Sequence, residues 1–154
     1  MTHSTLQTIR LADYAPPSFL IDTVVLDIDF QDGQTRVTAQ LALRRNPAAN
    51  TPAAPLLLDG EELELIGITL DGVPLSADRY QLSASQLILT DLPDVFSLQT
   101  VSRIHPDANT RLSGIYRSAD GYSSQCEAQG FRRITWFQDR PDVMARYTVT
   151  HWLK

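Results

Sequence analysis

The chain has 154 residues, of which 43% are hydrophobic and 20% are charged, and its formal net charge is −5. This length and composition predict one folded domain with its own core rather than a disordered chain. The acidic balance, with no run of Lys or Arg, argues against nucleic-acid binding, and the absence of a run of about 18 apolar residues argues against a membrane-spanning helix.

The first segment, residues 1–18, is polar and ends in the proline pair Pro16 and Pro17. Because the residue before a proline is disfavoured in the helical region, this segment is predicted to be an extended lead-in. The domain itself is then expected to cover residues 19–154.

Two strands with clean alternation follow the lead-in, and Gly33 lies in the predicted turn between them. Residues of one face repeat every second position, which is the period of a half-buried strand. The apolar faces consist of Val24, Leu26, Ile28 and Phe30 in the first strand and Val37, Ala39, Leu41 and Leu43 in the second. This pattern predicts an antiparallel hairpin.

Short strands and turns continue to about residue 105. The alternation changes phase beside Gly67, which predicts a β-bulge, and Asp71-Gly72 predicts another hairpin turn. Seven or more short strands at these spacings are typical of a sandwich. We therefore predict a mainly β protein, an antiparallel β-sandwich with at most one short helix. The helix candidate follows Asp139, with that residue as cap and Pro141 in the first turn.

Catalytic and metal-binding patterns are hard to find. The histidines His3, His105 and His151 are scattered, and no H-E-x-x-H or G-x-S-x-G motif occurs. We predict no catalytic residue and no metal ligand in this chain, and surface or packing roles for His105 and His151. A single cysteine, Cys126, excludes an internal disulfide, suits a reducing cytoplasm and is read as a small packing residue in a strand.

Gln125 and Glu127 are the candidate binding residues. If residues 123–130 are extended, these two side chains project from the same face. A carboxylate beside a carboxamide suits a ligand with a positive group that donates several hydrogen bonds, such as a free α-ammonium. The alternative from spacing alone is a solvent-facing pair on an ordinary strand.

Three motifs in fixed order carry a family resemblance: G-I-Y-R-S at residues 114–118, Q-C-E-A-Q-G-F-R at 125–132 and D-R-P-D-V-M-A-R-Y at 139–147. Together they closely resemble the N-terminal domain of the aminopeptidase N family of zinc metallopeptidases, in particular its bacterial branch. The resemblance extends over most of the chain from about Asp13 onward.

This resemblance implies a β-rich, saddle-like domain that packs against a thermolysin-like catalytic domain, where H-E-x-x-H and a distant glutamate hold zinc. Neither H-E-x-x-H nor the family's G-A-M-E-N motif occurs in this sequence. The resemblance also implies that Glu127 binds the α-ammonium of a peptide substrate and that Gln125 lines the pocket for the first side chain. An acetylated or internal peptide would leave that carboxylate unpaired, at a cost in affinity.

We therefore expect a non-catalytic substrate-recognition domain, excised from a zinc-dependent aminopeptidase and truncated at its C-terminal end. Its expected partners are the catalytic domain of the parent protein and peptides with a free amino terminus, with no nucleic acid and no membrane. The isolated chain is expected to be inactive, with zinc only in the missing catalytic domain. The alternative is a stand-alone β-sandwich module that binds or scaffolds without peptidase activity.

Overall fold

The computed structural model describes residues 10–31 and 33–153. Strands dominate these residues, which contain no α-helix and five 3-10 turns of three residues each. The prediction of a mainly β fold is therefore confirmed. Residues 1–9 of the predicted lead-in lie outside the described part, and Leu11–Asp13 forms one of the 3-10 turns.

Eleven strands are present in the described residues, and their bounds are β1 (Phe19–Gln31), β2 (Gln34–Arg45), β3 (Leu56–Asp59), β4 (Glu64–Leu70), β5 (Val73–Pro74), β6 (Tyr80–Leu82), β7 (Gln86–Leu89), β8 (Val95–Ile104), β9 (Gly114–Ser118), β10 (Gly121–Gln125) and β11 (Arg146–Leu153). The main sheet has six strands in the order β11-β1-β2-β8-β4-β5. A second sheet has the order β3-β7-β6, and β9 and β10 form a separate two-stranded ribbon.

The hairpin of β1 and β2 forms as predicted. Leu26 lies opposite Ala39 and Ile28 opposite Val37, with these inward-facing side chains buried. The next strand in the sheet, β8, continues this buried face with Phe96 and Leu98. The hydrophobic core therefore lies on the face that the alternating sequence predicts.

Two local predictions in β4 are also confirmed. The pairing of β4 with β8 shifts register between Leu65 and Gly67, so the phase change in the sequence marks a bulge. Asp71 and Gly72 then connect β4 to β5 with φ values of 50° and 80°. These positive values are those of a tight hairpin turn.

The last strand, β11, differs from the purely antiparallel arrangement that we expected. It pairs with β1 in the parallel direction, with Val24 beside Tyr147 and Phe30 beside Leu153. The direction of a strand depends on the path by which the chain returns to the sheet. The alternation of side chains along the strand does not indicate that path. All residues of β11 are exposed, and β11 is an edge strand.

The predicted helix after Asp139 does not form. A single turn takes its place, in which the Val143 amide donates to the Arg140 carbonyl at 3.2 Å. The preceding aromatic residues Trp136 and Phe137 are buried in the core. Phe137 and Asp59 exchange backbone hydrogen bonds of 2.7 and 3.1 Å, so this segment is attached to β3.

In the described ranges, no helix has the length and apolar character required to cross a membrane.

Candidate functional site

The predicted binding residues lie where the ribbon of β9 and β10 ends. Gln125 is the last residue of β10 and lies opposite Gly114, the first residue of β9. Cys126 leaves the strand, and residues 127–130 form a turn in which the Gly130 amide donates to the Cys126 carbonyl at 2.8 Å. We call residues 126–130 the site turn. The peptide bond between Glu127 and Ala128 in this turn is cis.

The extended geometry assumed for residues 123–130 is therefore wrong beyond Gln125. The prediction that Gln125 and Glu127 share one face of a strand does not apply, because Glu127 belongs to the turn. Both side chains are exposed. Within the described residues, the ion pairs involve other carboxylates, and the Glu127 carboxylate faces solvent without a cationic partner.

The site turn is closely packed at Gly130. A Cβ added at this position would lie 2.5 Å from the Gln125 carbonyl oxygen and 2.9 Å from the Ser113 hydroxyl. Since real Cβ atoms do not approach oxygen so closely, only glycine fits here without movement of the backbone. This contact holds the end of the turn against the end of β10.

Arg132 connects the site turn to Asp139. Its Nε donates to Asp139 Oδ2 at 2.9 Å, its backbone amide donates to the same oxygen at 3.2 Å, and Nη2 donates to the Asp139 carbonyl at 3.1 Å. The side chains are 17% and 10% exposed, so this pair is largely shielded from water. Asp139 thus joins two loop segments rather than capping a helix.

Arg133 makes a second connection, to the acidic residues that follow β3. It is buried, and its guanidinium pairs with Glu61 at 3.2 Å and with Glu62 at 2.9 Å. Its Cβ occupies the space beside Gly114, where an added Cβ would lie 2.6 Å away. Because Gly114 pairs with Gln125, Arg133 packs against the strand pair that carries the predicted pocket residue.

Sequence reasoning missed these supporting residues. The signal was present in the consecutive arginines Arg132 and Arg133 and in the acidic pair Glu61 and Glu62. Nothing in their spacing, however, indicates that segments about 70 positions apart meet, since such pairings are set by the tertiary fold.

An apolar cleft of about 620 Å³ adjoins the site turn through Cys126. The cleft lies between the inner face of β1, the β9–β10 ribbon and β11. Its walls include Phe30 and Tyr122, whose rings stack at 4.4 Å, and His151. Burial raises the pKa of the Cys126 thiol, which keeps it protonated and poorly nucleophilic. Cys126 packs as predicted, although it lies just beyond the strand.

Neither histidine in the described residues belongs to the site turn, although His151 lines the adjoining cleft. His105 and His151 are exposed, and a ring nitrogen of His105 lies 3.1 Å from the Gly33 carbonyl oxygen. Over residues 10–31 and 33–153, no three His, Cys, Asp or Glu side chains are grouped so as to hold a metal ion. Arg140 pairs locally with Asp142 at 2.7 Å.

No protein-family model matches the chain. The chain does match curated relatives. It is 45% identical to aminopeptidase N of Caulobacter vibrioides over 97% of this chain, and 40% identical to aminopeptidase N of Escherichia coli over 89%. This sequence belongs to the N-terminal domain of the aminopeptidase N family. The chain spans 17% and 15% of the length of these two relatives.

Solved structures agree with this assignment. Legionella pneumophila aminopeptidase A, in complex with aspartic acid, superposes with a TM-score of 0.85 and is 27% identical. That match covers 93% of this chain and 17% of the Legionella protein. An M1 zinc metallopeptidase of Deinococcus radiodurans has a TM-score of 0.70 at 18% identity, covering 87% of this chain and 32% of its own, and shows the same fold.

Proposed function

We propose that this chain is the substrate-recognition part of a zinc-dependent aminopeptidase, a longer polypeptide that removes amino-terminal residues from peptides. In this proposal Glu127 binds the α-ammonium of the substrate, and Gln125 lines the pocket for its first side chain. The proposal rests on the exposed carboxylate of Glu127, which lies on a turn whose ends are joined by the hydrogen bond from Gly130 to Cys126. The relatives named aminopeptidase support the same reading.

The charge around the site turn supports a cationic ligand. The neighbouring arginines Arg132 and Arg133 are already paired with Asp139, Glu61 and Glu62. Because these arginines are paired with other carboxylates, they do not neutralise Glu127. An α-ammonium donates three hydrogen bonds, and a carboxylate acceptor makes them charge-assisted.

Discrimination follows from the same chemistry. A peptide with a free amino terminus places a cation beside Glu127, whereas an acetylated peptide places a neutral amide there. The carboxylate would then lose water without gaining an ionic partner, which costs affinity. Gln125, at the end of β10, offers both a donor and acceptors to polar groups of the first residue.

Zinc and the groups that cleave the peptide bond belong, in this proposal, to a catalytic domain outside this chain. The described residues supply no ligand set that fits a zinc ion. The contribution of this chain is to orient the amino terminus of the substrate, and its partner is the catalytic domain that completes the site. The same proposal predicts no aminopeptidase activity for the 154-residue chain alone, with or without added zinc.

The direct test is Glu127→Gln in the full-length polypeptide encoded by the gene that contains this sequence. We expect kcat/KM for peptides with a free amino terminus to fall about 10- to 100-fold, the range that the loss of a charge-assisted hydrogen bond predicts, with unchanged zinc content. Glu64→Gln is the matched control, because it removes the Arg103–Glu64 pair on the surface of the main sheet. Equal kinetics of the Glu127 variant and the unchanged enzyme would refute the assigned role.

A second candidate function rests on the exposed edge strand. Among the described residues β11 pairs only with β1, and it exposes Val149, Trp152 and Leu153. An uncovered apolar edge can pair with another strand, as a stand-alone binding or scaffold module would require.

Sedimentation over a range of concentrations tests this second function. Self-association of the 154-residue chain that is weakened by Val149→Lys would support it. A monomer at every concentration would exclude self-pairing through this edge.

A further inference from the structure

The strongest unexplained feature near the site is the largely shielded contact between Arg132 and Asp139. We propose that Asp139 is a positioning residue for Glu127, acting through Arg132 to hold the site turn in one conformation. This inference rests on the proposed role of Glu127, and it assigns a function to a carboxylate that never needs to touch the substrate.

The geometry leaves Arg132 little freedom. One Asp139 carboxylate oxygen accepts both the side-chain Nε and the backbone amide of Arg132, and the Asp139 carbonyl accepts Nη2. A guanidinium bound at two of its nitrogens is fixed in orientation, and the backbone contact extends that constraint to the chain itself. Arg132 lies two residues beyond Gly130, so the constraint acts directly on the end of the site turn.

Asp139 is itself anchored on the second sheet. Its amide donates to Asp59 Oδ2 at 3.3 Å, and the neighbouring Phe137 pairs with Asp59 through the backbone. The Arg132 carbonyl also accepts from the Glu61 amide at 2.9 Å. The site turn is thus attached through Arg132 and Asp139 to the end of β3 and to the segment that follows it.

Rigidity of this kind matters for ligand binding. If the carboxylate of Glu127 is already in place, binding an ammonium requires no ordering of the turn. The affinity is then higher, because no conformational entropy is lost from the turn on binding. If the turn moves, the substrate amine and the bond to be cleaved shift with it. Displacements of about 1 Å can reduce turnover about 100-fold, so a partly loosened turn should reduce kcat/KM by roughly tenfold.

A purely structural role for Asp139 predicts something different. Loss of the pair would then lower stability but would not depend on whether Glu127 carries a charge. A double-mutant cycle distinguishes the positioning role from the structural role. The effects of substituting Asp139 and Glu127 on kcat/KM are coupled only if Asp139 acts through Glu127.

The experiment measures KM and kcat for a peptide with a free amino terminus in the full-length protein. The variants are Asp139→Asn, Glu127→Gln and the double variant, with Glu64→Gln as control. In the presence of Glu127, we expect Asp139→Asn to reduce kcat/KM about tenfold, through a lower kcat and a higher KM. In the Glu127→Gln background the same substitution should have almost no further effect.

Each outcome decides a different point. Equal effects of Asp139→Asn in both backgrounds would overturn the positioning role while leaving the role of Glu127 intact. An unaltered Glu127→Gln enzyme would overturn the proposed function, and the positioning role with it. If Asp139→Asn fails to fold, Arg132→Lys replaces it in the same cycle. This substitution keeps the positive charge but not the two-point contact, and the same pattern of coupling is expected.

Discussion

The main sheet and the segment from the site turn to Asp142 are stabilised in different ways. In β1, β2 and β8, alternate side chains are buried and the pairing is regular. From residue 126 to 142, the described chain has no strand. Trp136 and Phe137 of this segment are buried in the core, and arginine–carboxylate pairs and the close contact at Gly130 fix the loops around them. Burial of apolar area stabilises both regions, but regular strand pairing orders the first, whereas a few directional contacts fix the loops of the second.

The two regions are sensitive to different kinds of substitution. A buried apolar side chain contributes in proportion to its area, so truncation is costly anywhere in the sheet core. In the loops around Trp136 and Phe137, the cost of a substitution depends on whether a particular atom has space or a partner. Substitutions of the same residue type at positions that differ in burial or in free space should therefore separate the two modes of stabilisation.

The largest effect is expected in the sheet, for Leu98→Ala. Leu98 on β8 is 0% exposed, and the cavity left by truncation should lower the free energy of unfolding by about 2–5 kcal/mol. Leu57 is 45% exposed, so Leu57→Ala should change the free energy of unfolding by less than about 1 kcal/mol. Urea denaturation of both variants measures the difference, and similar losses would contradict the assignment of the core.

A smaller effect is expected at Gly130 in the site turn. Gly130→Ala places a methyl group against the Gln125 carbonyl oxygen, and we expect a loss of about 1–3 kcal/mol in the free energy of unfolding. Gly67→Ala is the matched control, since nothing lies within 4 Å of a Cβ at that position. It should be neutral or stabilise by up to about 1 kcal/mol.

Thermal or urea unfolding of the two glycine variants provides the comparison. If Gly130→Ala is tolerated as well as Gly67→Ala, then the turn is not packed as described.

The smallest effect is expected for the surface pair of Arg140 and Asp142. The hydrogen bond from Arg140 lowers the pKa of Asp142 below its ordinary value of 3.8. The pair therefore contributes stability above pH 3.8, and that contribution is lost as the pH falls through the lowered pKa of the folded state. Exposed pairs of this kind contribute about 0–1 kcal/mol.

Asp142→Asn should thus lower the unfolding free energy by no more than about 1 kcal/mol at neutral pH, and the difference should vanish in strong acid. Urea denaturation from pH 7 to about pH 2 would measure it. A difference that grew as the pH fell would contradict the sign of the pKa shift.

The sheet and the site differed in how far they could be predicted. The hairpin of β1 and β2, the bulge beside Gly67 and the turn at Asp71 followed from local period and turn chemistry. The prediction of a helix after Asp139 was wrong because the Asp139 side chain accepts hydrogen bonds from Arg132, which precedes it, instead of capping a helix. The exposure of Gln125 and Glu127 was compatible with the sequence, but their placement on strand end and turn was not foreseen.

Sequence patterns were enough to predict which faces of the strands are buried, the hairpin turns at Gly33 and at Asp71-Gly72, and the family that the chain resembles. These features are local, or they depend on the order of motifs along the chain. The tertiary structure was needed to show that β11 runs parallel to β1 and that Arg133 meets Glu61 and Glu62. Such contacts join segments distant in sequence, and they form only where the packing of the whole core brings the segments together.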